Sequence, residues 1–430
     1  MTATMEKTTA APSGLLNTWR NLRTPVRWML YAFFAIFVLT IVQGLPFDDT
    51  ERLTAGATAS AMLRRAVPIM LAGLGGLVSE RAGVVNIGLD GMMVLGTWFG
   101  AYGALEFGPW GGIVLGLIGG AIGGLIHAVA TVSFGVDHII SGVAINIVSL
   151  PVARYLSDQI FTGYTGGSIS QSPSVDATSK FSIPLLAGGF GGPDLLAEIN
   201  DWDIPVLSNI ADFSHGLFAD VTWFTGLAYA LVPAITWMLW RTRFGLRLRS
   251  CGEHPTAADS LGIDVYFYKY AAVMMSGGLA GVGGAYIAIE QSNIYKEGQV
   301  VGRGFIGLAT VIFGNWRPAG TALGAALFGY IDALKLIDIE GSAIHAFLLV
   351  IVLCLSGVVV WAVTRKSKVD AVLAGVMATA FLTWYVLSDS IPSPFVKVAP
   401  YVIVLLVLVF ASQRLRMPKA DGLPWRKGDH

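Results

Sequence analysis

Long apolar runs alternate along the chain with short polar breaks. The runs lie at 26–44, 61–79, 83–105, 109–132, 136–156, 219–240, 266–289, 304–314, 318–336, 343–363, 370–389 and 396–412. Most come close to the roughly 17 to 25 apolar residues that a helix needs to cross a bilayer. The pattern predicts an all-α, polytopic membrane protein with about 10–12 transmembrane helices between residues 26 and 412. Two runs are imperfect. The 304–314 run is short, so it is either tilted or half of a helix broken at Asn315-Trp316-Arg317-Pro318. The 83–105 run carries Asn86 and Asp90 inside it.

Composition agrees with a chain solvated by lipid. Only 13% of its 430 residues are charged, against about 25% in soluble domains. Lys and Arg balance Asp and Glu at 28 each, so membrane lipids are expected partners and nucleic acid is not. Cys251 and Cys354 stand in different contexts, which argues against a disulfide, and no metal-type Cys/His spacing occurs. Residues 1–20 are polar and have no small-residue cleavage site, so the first run reads as an anchor and not as a removed signal.

The basic residues set the orientation. They cluster in the N-terminal tail (Lys7, Arg20, Arg23, Arg27), at 241–249 (Arg241, Arg243, Arg247, Arg249), in the turn 364–368 and after residue 413. Twelve spans from a cytoplasmic N-terminus bring all four clusters inside. Residues 1–25 and 413–430 are then cytoplasmic tails, and 157–218 is an outer loop with seven acids against the single base Lys180. Arg64 and Arg65, near an outer end, are the local exception. The outer loop is rich in Gly, Ser and Pro, and it reads equally as a partly ordered cap or a connector.

Two stretches share a texture. GLDGMMVLGTWFGAYGA, continued by GPWGGIVLGLIGGAIGGLI (88–126), and GRGFIGLATVIFGNWRPAGTALGAALFGYI (302–331) each start at a Gly-bracketed polar residue. Each runs through an apolar helix to a Trp-containing break and resumes with small residues. The topology sends their first helices in opposite directions, as in an inverted repeat.

Several residues could carry chemistry. Asn86 and Asp90, four apart, share a helical face, with Met92 just beyond. They read either as contacts lining a solute path or as polar bonds between helices. Asn146 shares the run 136–156 with Asp137 and Ser141, and it too reads as a path contact or as interhelical glue. His127, alone on an apolar helix, reads as a packing residue. Arg303, between two glycines, and Phe305 could orient and stack on a solute entering from outside, with Trp316 as a second ring; Arg303 could equally be snorkelling to the interface. The chain has no GxxxxGK[ST] loop, GxSxG, HExxH or series of buried acids and bases, so it reads as neither an ATP-binding protein nor an enzyme.

The charged island RTRFGLRLRSCGEHPTAADSLGI (241–263) stands apart from everything else in the chain. Positive-inside bias accounts for its arginines but not for GEHPTAADSLGI. Gly252 and Pro255 break the chain, and residues 256–259 suit one short helix lying flat, its small residues fitting a groove.

In chain order, ERAGVVNIGLDGMM (80–93), GLRLRSCGEHPTAADSLGI (245–263), SGGLAGVGGAYIAIE (276–290), GRGFIGLATVIFGNWRPAG (302–320) and PYVIVLLVLVF (400–410) resemble one family. It is the inner-membrane permeases of ATP-binding-cassette importers, of the branched-chain amino acid/ribose type, in the branch assigned to nucleosides and simple sugars. The tail MPKADGLPWRKG (417–428) is similar to that family's closing Pro…Gly…Pro-aromatic stretch. The resemblance implies a transport subunit with no cofactor of its own, in the plasma (inner) membrane of a prokaryote. It implies a separate ATPase that binds ATP and Mg, a second permease as heterodimer partner, and an extracytoplasmic solute-binding lipoprotein. It makes 241–264 the loop that docks on the ATPase, through Gly245, Arg247, Arg249, Gly252, Glu253, Pro255, Ala257, Ala258 and Asp259. Asn86, Asp90, Met92, Asn146, Arg303 and Phe305 become candidates for the translocation path. Two departures are visible: an extra helical hairpin at 343–389, and an outer loop longer than the family's. A branched-chain amino acid permease and an ion-coupled carrier are the alternatives, the latter supported only by Asp90.

Overall fold

The computed structural model describes residues 53–202, 204–337, 342–364, 368–388 and 416–428. The runs expected at 26–44 and 396–412, and the N-terminal tail, lie outside the described residues.

The bundle is built around α1 (Gly56–Arg81) and α9 (Val265–Tyr286). Between Ala66 and Glu80 every residue of α1 is buried. Pro68 sits in this stretch without the amide that would bond the Arg64 carbonyl; Gln291 Nε2 donates to that carbonyl at 2.8 Å instead. The two helices run antiparallel, Gly75 lying against Ser276 and Gly283 against Pro68.

α2 (Leu89–Ala128) is one helical run only by length. At Gly108 the backbone turns to φ 74° and ψ 176°, a region essentially reserved for glycine, and Pro109 restarts the helix. The arms 89–107 and 109–128 fold back on each other, with Gly103 against Gly111 and Gly112. A seam of small residues (Gly96, Gly120, Gly124) meets Gly277 and Gly281 of α9 at backbone distance, the close approach that packs helices in lipid. α3 (His138–Ile160) follows, capped by Asp137, whose carboxylate accepts from the Ile139 and Ile140 amides.

Beyond α3 the outer segment holds the short helices α4 (Leu195–Asn200) and α5 (Pro205–Phe218), and β1 (Lys180–Phe181) paired with β2 (Val221–Thr222). The segment is a cap and not a loose connector. Asp212 of α5 accepts from the Gly56 amide at 2.8 Å, and His215 Nε2 lies 3.0 Å from Asp194. Partial burial raises the Asp194 carboxyl, but the Ala197 amide and His215 outweigh it and hold the group below its ordinary value. Residues 170–175 pair with 293–297: the Val175 amide donates to Asn293 O (2.8 Å), Ser172 to Tyr295 O (3.0 Å) and Glu297 to Ser170 O (2.8 Å).

α6 (Trp223–Arg241) leads into the island, which forms α7 (Arg243–Glu253) and α8 (Pro255–Ser260), two short helices where the sequence suggests one. After α9 come α10 (Arg303–Phe313), α11 (Pro318–Ile337), α12 (Ser342–Thr364) and α13 (Lys368–Leu387). The last two form the hairpin anticipated at 343–389, resting on the core through Leu348 and Leu349. The exceptional Arg65 lies 3.6 Å from Asp332 of α11, so its charge is matched.

One sequence boundary needs correction, and one of two alternatives left open is decided. The 83–105 run is helical only from Leu89; residues 82–88 are turn and irregular backbone. The 304–314 run is half a span, because the eleven residues of α10 reach only about 16 Å at 1.5 Å per residue. The same order then appears twice. α1, the irregular 82–88 and the first arm of α2 are followed by a tight turn and the second arm. α9, the irregular 292–302 and α10 are followed by a tight turn and α11. With α1 and α9 antiparallel, the two units are inverted, as the shared sequence texture suggested.

Candidate functional site

The units meet head to head. The Gly304 amide, in the first turn of α10, donates to Asp90 Oδ1 in the first turn of α2 at 3.0 Å. First-turn amides have no partner within their own helix and carry the positive end of the helix dipole, so a carboxylate is the group that fits between them. α10 spans about half of a hydrocarbon core some 30 Å thick, which places this junction near the midplane.

The irregular segment 82–88 has no helical ladder, and unpaired backbone in lipid costs several kcal/mol per group by order of magnitude. Side chains from the neighbouring helices supply its bonds. Asn86 is fully buried; its Nδ2 donates to Ser276 Oγ (2.9 Å) and its Oδ1 accepts from the Gly88 amide (3.1 Å). Asn146 Nδ2 donates to Ile87 O (2.9 Å) and its Oδ1 accepts from the Gly91 amide (2.7 Å). Two histidines grip Val85. His127 Nε2 faces Val85 O at 3.0 Å and its Nδ1 faces Ser141 Oγ at 2.9 Å, while His138 Nδ1 accepts from the Val85 amide at 3.3 Å. A carbonyl only accepts, so Nε2 of His127 carries the proton, and that of His138 does too when the ring is neutral. Met92 is buried beside Asn86. Arg303 donates from Nη1 to Gln299 O (2.8 Å) and lies 3.8 Å from Asp332. Of the path candidates only Phe305 is substantially open, at 47% exposure. Trp316 lies elsewhere: it is buried at the inner turn, its indole donating to Glu80 Oε2 at 2.5 Å.

On the inner face, Trp240 is flanked by the Arg81 and Arg249 guanidinium groups, 5.5 and 5.6 Å from its ring centre. Arg249 also donates to Leu239 O (3.0 Å) and Arg247 to the Tyr268 hydroxyl (3.3 Å). These bonds lash α7 to α6 and α9. Gly245 packs against Met238 and Leu239 at backbone distance, and Gly252 against Arg81. Pro255 and Ala258 face inward, Asp259 is half-buried, and Glu253 and Ala257 face outward. Leu246 and Leu261, 59% and 81% exposed, went unremarked in the sequence. Alternation of apolar and charged residues in GLRLRS (245–250) was the only signal for Leu246, and Leu261 lies outside it.

A groove of about 490 Å³ between α2 and α3 is lined by Phe99, Ile122, Ile126, Ile140 and Val148. Its apolar walls suit acyl chains.

Residues 58–359 match the family model described as branched-chain amino acid transport system / permease component. The chain belongs to this family of transport permeases and is a multi-pass membrane protein. It is 35% identical over 376 residues to a guanosine ABC transporter permease protein of Bacillus subtilis, covering 86% of this chain and 96% of that one. It is 33% identical to a nucleoside ABC transporter permease protein of Lactococcus lactis, covering 85% and 95%. A putative glucose ABC transporter permease of Haloferax volcanii is 31% identical over 66% of this chain and 78% of its own. No solved structure matches the chain.

Proposed function

We propose that this chain is one of two permease subunits of an ATP-driven importer for nucleosides, in the plasma membrane of a prokaryote. A solute-binding lipoprotein delivers the solute on the outer face, and a separate ATPase docks on α7 and α8. Similarity to the nucleoside and guanosine permeases over 95% and 96% of their own lengths carries the solute reading. A simple sugar ranks second, because the glucose relative is matched over a smaller share. Ion coupling through Asp90 has little support, since that carboxylate is bonded to the Gly304 amide. Docking of the ATPase is supported by an inner island whose base is bonded to the bundle while Leu246, Ala257 and Leu261 stay outside.

Uptake of labelled guanosine by cells expressing the complete transporter tests the solute. Unlabelled nucleosides are expected to compete, and glucose and leucine are not; uptake of glucose or leucine in place of guanosine would overturn the reading. Ala257→Trp tests docking, because this side chain is outward and its change leaves the bundle intact. The variant is expected to insert normally and lose co-purifying ATPase.

A further inference from the structure

The tail Arg416–Gly428 follows the last apolar run and is laced across the inner face. Near its start, the Arg416 amide donates to Asn315 Oδ1 at 2.7 Å, in the turn between α10 and α11. In its middle, the Ala420 amide donates to Gly252 O of α7 at 2.9 Å. The Ala420 carbonyl lies against Gly83, where α1 gives way to the irregular segment; a Cβ on Gly83, whose φ is +83°, would come 3.1 Å from that oxygen and 3.2 Å from Gly252 Cα. Towards its end, Trp425 packs on Tyr266 of α9 with ring centres 5.4 Å apart. Arg426 Nη2 reaches Phe134 O, in the turn between α2 and α3, at 3.4 Å. Pro418, Ala420 and Asp421 are buried. The tail thus touches an inner turn of each inverted unit and α7, at the point where 82–88 begins.

We infer that this tail is a transmission strap, which ties α7 to the inner ends of both units so that a displacement of α7 and α8 reaches segment 82–88. Gly83, Gly252 and Ala420 meet backbone to backbone. Bare backbones with no interlocking side chains slide past one another unless a hydrogen bond holds them, and the Ala420–Gly252 bond provides that hold. The inference rests on the reading of α7 and α8 as the ATPase-docking helices.

The test compares three variants of the assembled transporter in liposomes: a chain ending at Met417, Trp425→Ala and Trp425→Phe. Import and ATP hydrolysis are measured together. The truncated chain and Trp425→Ala are expected to keep their ATPase and hydrolyse ATP within about twofold of wild type. Their import should fall about tenfold, in the range of ordinary coupling effects, with the KM for solute unchanged. Trp425→Phe keeps the ring on Tyr266 and, because the indole nitrogen has no hydrogen-bond partner among the described residues, should import normally. A merely structural role would lower hydrolysis and import in proportion. Proportional loss, wild-type import per ATP in the truncated chain, or Trp425→Phe as defective as Trp425→Ala would each overturn the strap. Failure of the docking reading appears separately, as ATPase retained by Ala257→Trp.

Discussion

At Gly304 the starts of α10 and α2 meet through a backbone amide, and there is no room for a side chain. A Cβ built there would lie 2.5 Å from Asp90 Cα and 2.9 Å from its Cβ. Gly304→Ala must therefore push the two helix starts apart, at a cost of about 1–3 kcal/mol typical of overpacking. Thermal unfolding of the solubilised protein should show a lowered midpoint, and an unchanged midpoint would mean the junction is looser than described. The polar residues picked from the sequence, Asn86, Asp90 and Asn146, do converge on this region. Their partners were illegible, because Ser276, Gly304 and the Gly91 amide become neighbours only through the fold. His138 shows the same limit: nothing in VDHII announces that its ring receives the Val85 amide.

Among the elements, hydropathy located the long helices well, because lipid demands length and greasiness that few other segments have. It misread 82–88, since AGVVNIG is as apolar as the helix it interrupts, and the bonds that permit the interruption come from other elements. The tail was the larger omission. A short polar stretch after the last span shows no periodicity, so its docking was invisible, although Asp421 now proves informative. Burial raises its carboxyl to about 7, against the Gly422 amide and the charges of Lys269 and Arg81, with Glu80 also nearby. A carboxyl raised in the docked state binds more protons there than when released, so docking weakens as pH rises from the ordinary carboxyl range towards about 7 and is constant above it, where both states are ionised. The protection factors of residues 416–428 against hydrogen exchange, taken relative to the base-catalysed intrinsic rate, should accordingly fall between about pH 5 and about pH 7. Asp421→Asn should flatten the dependence; a wild-type tail equally protected at both values would refute the assignment.

For the whole molecule, sidedness is the statement on which every functional reading depends. The arginine clusters and the acidic segment 157–218 agree on one orientation. Phe190, 87% exposed in the cap, and Ser260, exposed at the end of α8, are suitable reporters. In a Cys354→Ser background, Phe190→Cys should react with an impermeant maleimide on spheroplasts, and Ser260→Cys only on inverted vesicles. Native Cys251 should stay silent, because burial drives its thiol up to about 11. Labelling of Ser260→Cys from outside would invert the topology and remove α7 and α8 from the ATPase side.

The pairing of 170–175 with 293–297 also bears on how such permeases can be recombined. A cap transplanted alone from a relative would arrive without its matching side chains, because Ser172 Oγ accepts from the Tyr295 amide at 2.8 Å and Asn293 Nδ2 donates to Val175 O at 3.4 Å. Chimaeras that exchange both stretches together should accumulate in the membrane, and those that exchange one should not. The cap and the approach to α10 are thus heritable as a pair, though more than a hundred residues separate them in the chain.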